Sequence, residues 1–231
     1  MAESIAYRSI VIAAQCASWI FGQLLRLRYS VHAQFPSGDF RSNSEHCLIV
    51  APMHKTAFDP CLLMIALNYR RWRALVPIRI LATQTFGGPL RWLNWFMPLI
   101  RIIYRLEGAI ELPPEDHNNG FHPEKVRGLL AALNQGDVIA IFPEGEVWRK
   151  REPAIGKFAP GVIYLHRKSR ALIVPIAVWM SERAWPRRRY VAQFGEPVAI
   201  PEHLDFDAGA AWLREHVLRS CRARTPAHGP P

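Results

Sequence analysis

Two short apolar runs, each cut off at a proline, limit what this chain can fold into. Cys47-Leu48-Ile49-Val50 stops at Ala51-Pro52, and Val138-Ile139-Ala140-Ile141-Phe142 stops at Pro143. Neither run alternates with polar residues, so each reads as a strand buried on both faces. A sheet containing such strands must be covered by helices on both sides. The chain supplies those helices. Residues 59–68 show helical spacing at Leu62, Leu63, Ile65 and Ala66, with Pro60 in the first turn, where it is tolerated. Residues 123–135 read as a helix closed by Gly136, and 208–222 as an amphipathic helix with Trp212, Leu213, Val217 and Leu218 on its apolar side. Further strands are expected at 29–35 (alternating, hence an edge strand), 75–83, 101–105, 172–178 and 189–194. Gly87-Gly88-Pro89 is a turn, 90–97 an aromatic-rich helix or membrane-facing segment, and 113–120 a breaker-rich surface loop. There is no internal repeat and no linker. The expected fold is a single α/β domain over residues 29–224, with a mixed central sheet flanked by helices. An N-terminal membrane-associated helix at 1–28 precedes it, and a disordered tail at 225–231 follows. A chain of 231 residues is long enough for one full core and short for two.

The N-terminal expectation rests on residues 9–25, which carry no charge and lie between Arg8 and the pair Arg26 and Arg28. As a helix these 17 residues extend roughly 26 Å, slightly less than a hydrocarbon core of about 30 Å. Spanning a bilayer and lying in its interface both fit. Val31-His32-Ala33 loosely resembles a signal-peptide cleavage site, but two arginines separate it from the apolar run. Taken as an anchor, this helix is expected to be removable with more harm to membrane attachment than to the fold. The chain is basic, with 29 Lys plus Arg against 19 Asp plus Glu, for a formal charge of +10. Arg70-Arg71-Trp72-Arg73, Arg91-Trp92 and Trp185-Pro186-Arg187-Arg188-Arg189 put Trp beside Arg, a pairing suited to the headgroup level of a bilayer. No helix-turn-helix, zinc spacing or RNA-binding aromatic motif accompanies the charge, so nucleic acid is not an expected partner. The 4 cysteines form no Cys-x-x-Cys pair and the 9 histidines no His-x-x-x-His pair, so no metal is expected and a reducing compartment is favoured.

Two segments carry chemistry, each just past a predicted strand. In Pro52-Met53-His54-Lys55-Thr56-Ala57-Phe58-Asp59, the turn after the strand can bring the Asp59 carboxylate back to the His54 imidazole. A carboxylate on one ring nitrogen fixes the tautomer and leaves the other nitrogen free to accept a proton. This is the base and orienter of a serine-hydrolase triad without the serine, so the nucleophile would be a substrate hydroxyl. Alone, the pair is a weak signal, because Asp59 as a helix cap and His54 as an ordinary loop histidine explain it equally well. In Ile141-Phe142-Pro143-Glu144-Gly145, Pro143 ends the strand and Gly145 permits a tight turn. Glu144 is thereby presented at the sheet's carboxyl edge, where open α/β sheets bind ligands. There it can bind an acceptor hydroxyl or hold nearby loops by hydrogen bonds.

Together, the His54-to-Asp59 spacing and Phe142-Pro143-Glu144-Gly145 resemble the glycerolipid acyltransferase superfamily, whose best-known members acylate lysophosphatidic acid. Lys157-Phe158-Ala159-Pro160-Gly161 is similar to the family's basic-Phe-x-x-Gly segment, and Val174-Pro175-Ile176 to its late strand. Arg105 matches the arginine of the second block, with Arg101 as a competing alignment. The resemblance implies His54 as general base and Asp59 as its orienter, Glu144 and Gly145 helping to bind the acceptor, Arg105 contacting its phosphate, and Lys157 as a further substrate-binding residue. It also implies a membrane lipid as partner, acyl-CoA or acyl-carrier protein as co-substrate, no cofactor, and attachment at the cytoplasmic face of a membrane. The expected activity is O-acyl transfer to a lysophospholipid hydroxyl, with 1-acylglycerol-3-phosphate as default acceptor. Thioester hydrolysis, transacylation and non-catalytic lipid binding stay open as alternatives. Two departures bear on the acceptor. The family's Thr-Arg-Ser after the third block is replaced by Glu146-Val147-Trp148, with Arg149, Lys150 and Arg151 just beyond, and Met53 stands where the family has Asn.

Overall fold

The computed structural model describes residues 5–36, 47–50, 59–82, 88–111, 126–144, 155–180 and 187–222. The strands are β1 (Tyr29–Gln34), β2 (Cys47–Val50), β3 (Ile78–Ala82), β4 (Ile110–Glu111), β5 (Val138–Ile141), β6 (Leu172–Met180) and β7 (Arg188–Phe194). They form one sheet in the order β1-β7-β6-β2-β5-β3-β4. Neighbours run parallel except β6 and β7, which are antiparallel, so the sheet is mixed as expected. The helices are α1 (Ile5–Gly22), α2 (Asp59–Ala66), α3 (Tyr69–Leu75), α4 (Met97–Leu106), α5 (Arg127–Asn134), α6 (Gly161–Ser169) and α7 (Phe206–Arg222). Two 3₁₀ helices join them: Gln23–Leu27 continues α1, and Gly88–Phe96 leads into α4.

The side-chain period of 2 along the central strands divides the core in two. On β5, Val138 and Ala140 face one layer, with Leu62, Leu63 and Ile65 of α2 and Trp72 and Leu75 of α3. Ile139 and Ile141 face the other, with Leu129 and Leu133 of α5, Ile163 and Leu165 of α6, and Leu213 and Val217 of α7. Strand β5 is therefore buried on both faces, as its unbroken apolar sequence requires. Gly136 closes α5 with φ of +79°, a left-handed stop that glycine adopts without steric cost. β1 lies at the sheet's edge and alternates between buried and more exposed positions.

Residues 101–105, expected as a strand, lie inside helix α4. Ile102, Ile103 and Tyr104 are good strand formers, but Leu99, Ile102, Ile103 and Leu106 repeat at helical spacing, and that period prevails. Three further elements were not anticipated: α3, α6 and the two-residue strand β4. Of the Trp–Arg clusters, Trp72 is a core residue, whereas Trp92 is exposed. The tail at 225–231 and the loop at 113–120 fall outside the described residues.

Helix α1 is fastened to the domain by polar groups. Gln15 is buried, and its Nε2 donates to the carbonyls of Ile78 (2.7 Å) and Glu107 (2.8 Å). Its Oε1 accepts from the Ile78 N–H at 3.0 Å, so one side chain completes the hydrogen bonding at the start of β3. Arg8 donates to the Gln135 carbonyl at 3.0 Å and makes an ion pair with Asp137 Oδ1 at 2.8 Å. Asp137 is fully buried and also accepts from Arg79 Nε at 2.8 Å, where Arg79 is only 2% exposed. Removing residues 1–28 would strip these partners from groups inside the domain, so the cost to the fold exceeds what the sequence suggests. The buried pair sets a first prediction. Asp137→Ala leaves the Arg79 charge buried without its carboxylate and should lower unfolding free energy by about 3–5 kcal/mol. Urea denaturation measures this, and a loss below about 1 kcal/mol would mean water reaches Arg79 freely.

Candidate active site

The site follows from the pairing of β2 with β5. The two strands are parallel and end level, with Val50 opposite Ile141. β6 flanks β2 on its other side in the same direction, with Val50 opposite Pro175. The segments leaving β2 and β5 therefore emerge side by side at the carboxyl edge of the sheet. From β2 the chain passes through residues 51–58, outside the described residues and containing His54, and enters α2 at Asp59. Asp59 is fully buried in the first turn of that helix. From β5 it passes through Phe142 and Pro143 to Glu144, beyond which Gly145 lies outside the described residues.

Glu144 has a defined partner. Its Oε1 accepts a hydrogen bond of 2.5 Å from the Gly156 N–H, and the Ala159 N–H donates to the Pro143 carbonyl at 2.8 Å. The segment that carries Lys157 is thus folded back over the exit of β5. Phe158 is buried beneath it, while Lys157 is exposed. Arg214 of α7 reinforces the same turn, donating at 2.8 Å to both the Gly156 and the Ile155 carbonyls. Of the two roles open to Glu144 from sequence, loop holding is the one this geometry displays.

The two competing arginines stand one turn apart on the same face of α4, Arg101 in its middle and Arg105 near its end. Arg105 is exposed in the last turn, where the Tyr7 hydroxyl donates to its backbone carbonyl at 2.8 Å. Nearby Glu107 shares the Gln15 side chain with Ile78, the first residue of β3, so this end of α4 lies toward the amino edge of the sheet. Arg101 instead lies 3.6 Å from Glu111, which stands opposite Ala82, the last residue of β3. Glu144 and Lys157 thus lie at the exit of β5, with Arg101 toward the same edge and Arg105 one helical turn farther along α4.

Two residues that sequence reasoning passed over belong to this region. Arg214 is one, and nothing in the sequence distinguishes it from other helix-surface arginines. The other is Tyr190 on β7, whose hydroxyl is buried and has no hydrogen-bond partner among the described residues. Burial first, and the Asp59 charge second, push its ionisation well above the usual tyrosine range, so it stays neutral. Its signal was its place within an otherwise buried strand. A small apolar crevice lies between α2 and the sheet, lined among others by Pro60, Leu63, Phe142 and Phe194. It therefore includes the residue after Asp59 and the residue two before Glu144.

An α/β domain that collects its polar loop residues at the carboxyl ends of parallel strands is built as an enzyme of the open-sheet kind. A family model for acyltransferases matches residues 30–179, and the chain belongs to that family and is an acyltransferase. Among solved structures it resembles the 1-acyl-sn-glycerophosphate (LPA) acyltransferase PlsC from Thermotoga maritima, with 14% sequence identity and a TM-score of 0.59. The likeness covers 96% of this chain and 82% of that one, and at this identity it is a likeness of fold.

The Glu144 contact sets a second prediction. Glu144→Ala should free the Gly156 amide and raise its hydrogen-exchange rate by roughly tenfold or more, consistent with losing a charge-assisted bond of about 1.5–3 kcal/mol. Unchanged exchange at Gly156 would show that Arg214 alone holds the turn.

Proposed function

We propose that the protein transfers a fatty acyl group from acyl-CoA or acyl-carrier protein to a hydroxyl of a lysophospholipid, with 1-acylglycerol-3-phosphate as default acceptor. The observation that carries the reading is the level, side-by-side exit of β2 and β5, which brings the Asp59 and Glu144 segments to one edge in a member of the acyltransferase family. In this reading His54, held by Asp59, takes the proton of the acceptor hydroxyl as its oxygen attacks the thioester carbonyl. The carbon–sulfur bond then breaks, and the departing thiolate takes the proton from the imidazolium. A new ester and a free thiol result, and no metal or prosthetic group is needed. A thioester is already activated, so positioning and one base supply much of the catalysis.

Glu144 and Gly145 bound the acceptor side of this site, Glu144 by holding the turn that carries Lys157. Lys157 faces the acceptor phosphate together with an arginine of α4, for which the place of Arg101 beside Glu111 speaks more strongly than that of Arg105. The enzyme works on a membrane surface, at the cytoplasmic face. Residues 5–27 form a helix long and apolar enough to reach across a bilayer, with mean hydropathy 1.5. Its attachment to the domain at Arg8, Gln15 and Trp19 favours lying in the interface over standing upright through lipid. The free thiols of Cys16 and Cys61 suit a reducing compartment.

Thiol release from acyl-CoA and from acyl-carrier protein, across a panel of lysolipid and alcohol acceptors, tests the reading. Acceptor-dependent release should fall by about 10²–10⁴-fold in His54→Ala, and substantially in Asp59→Asn. Release that ignores the acceptor would make the enzyme a hydrolase. Silence in the folded wild type with every donor and acceptor would leave it a lipid-binding member of the family.

A further inference from the structure

An amphipathic helix normally turns its apolar stripe toward the core. Helix α4 does the reverse. Leu99, Ile102, Ile103 and Leu106 stand at i, i+3, i+4 and i+7, and their exposures are 58%, 54%, 45% and 46%. Met97 is the buried residue of this helix. The preceding 3₁₀ helix continues the surface with Trp92, Phe96 and Trp95, the last 88% exposed. α4 lies beside α1, joined through the Tyr7 hydroxyl to the Arg105 carbonyl, the Gln15 amide to the Glu107 carbonyl, and Ser18 to the Glu107 carboxylate. α1 and its 3₁₀ extension add exposed Ile10, Phe21 and Leu24.

Resting on the reading that this is an enzyme of membrane lipids, we propose that the segment Gly88 to Leu106 is a second membrane-seating element. It inserts its aromatic and aliphatic face into one leaflet of an anionic bilayer alongside α1. Charge decides between lipid and a second copy of the chain. The segment carries Arg91, Arg101 and Arg105 and no acidic residue. The acids nearest to it are engaged, Glu107 with Ser18 and Glu111 with Arg101. Two copies meeting on this face would bring like charges together, whereas anionic headgroups neutralise them and tryptophans favour that depth. The middle of α4 lies toward the carboxyl end of β3, where Arg101 meets Glu111 opposite Ala82, so seating this element brings that end of the sheet toward the headgroups. A lysolipid could then present its hydroxyl without leaving the leaflet.

The test is binding by the full-length protein to phosphatidylcholine vesicles with and without phosphatidylglycerol, read by sedimentation and by quenching of tryptophan with brominated acyl chains. Both substituted side chains in Trp95→Glu/Ile102→Glu are solvent-exposed, so the unfolding midpoint should stay at the wild-type value. Partitioning should weaken at least about tenfold. Arg91→Gln should reduce the preference for anionic vesicles while retaining binding to neutral ones. Wild-type partitioning by the folded double variant would overturn the proposal. So would a wild-type dimer in vesicle-free buffer that the double variant converts to monomer with vesicle binding unchanged, since the face would then belong to a second copy. Because binding is read without turnover, failure here leaves acyl transfer standing, and an inactive protein that seats on vesicles leaves the docking surface standing.

Discussion

Strands β2 and β5 run in the same direction, and their last residues stand opposite one another. Parallel neighbours cannot be joined by a tight hairpin, so each must leave the sheet at the same edge and return through a long connection. The two returns here go to opposite faces. After β2 the chain packs α2 against Val138 and Ala140, and after β5 it folds back through Phe158 and packs α6 against Ile139. Both strands release the chain at the carboxyl edge, and Asp59 and Glu144 are the described residues at the two ends of those exits. The same pairing accounts for the sequence of β5, since a strand covered on both sides has no face left for polar residues.

A helix that keeps its apolar surface outward has little hydrophobic area with which to hold its own domain. α1 meets this with polar groups. Val11 is its one buried aliphatic residue, and beside it Gln15 makes three hydrogen bonds while Arg8 reaches the buried Asp137. At roughly 1 kcal/mol for each neutral hydrogen bond, Gln15 alone contributes as much as burying a large aliphatic side chain. The interaction is also directional and fixes the rotation of the helix about its axis. That rotation determines which residues of α1 stay exposed.

Much of this was legible in the sequence because the decisive signals were local. Pro52 and Pro143 cut apolar runs, Gly136 stopped α5, and β1 alternated at the edge. The level ending of β2 and β5 was legible too, since parallel strands in an open sheet share an edge. What escaped depended on contacts between distant segments. Arg79 lies within the strand expected at 75–83 with nothing to mark it, and its contacts with Asp137 and the Gly108 carbonyl show why a charge can sit there. Arg214 and Gly156 meet across the fold with no motif to announce it. Arg101 and Arg105 are equivalent as letters, and the ion pair of Arg101 with Glu111 across the fold is what distinguishes them.

The misreading of residues 101–105 as a strand has a physical cause that reaches beyond secondary structure. Composition favoured a strand, while the spacing of Leu99, Ile102, Ile103 and Leu106 specified a helix. Spacing identifies which residues share a face, but it does not say what that face meets. The usual inference that an apolar face turns inward assumes water outside. Here the stripe of α4 turns outward while the polar side chain of Gln15 turns inward, and both are anomalous only if water is the sole solvent. Against a leaflet the arrangement is the favourable one, because hydrocarbon takes up the stripe and the domain satisfies the amide.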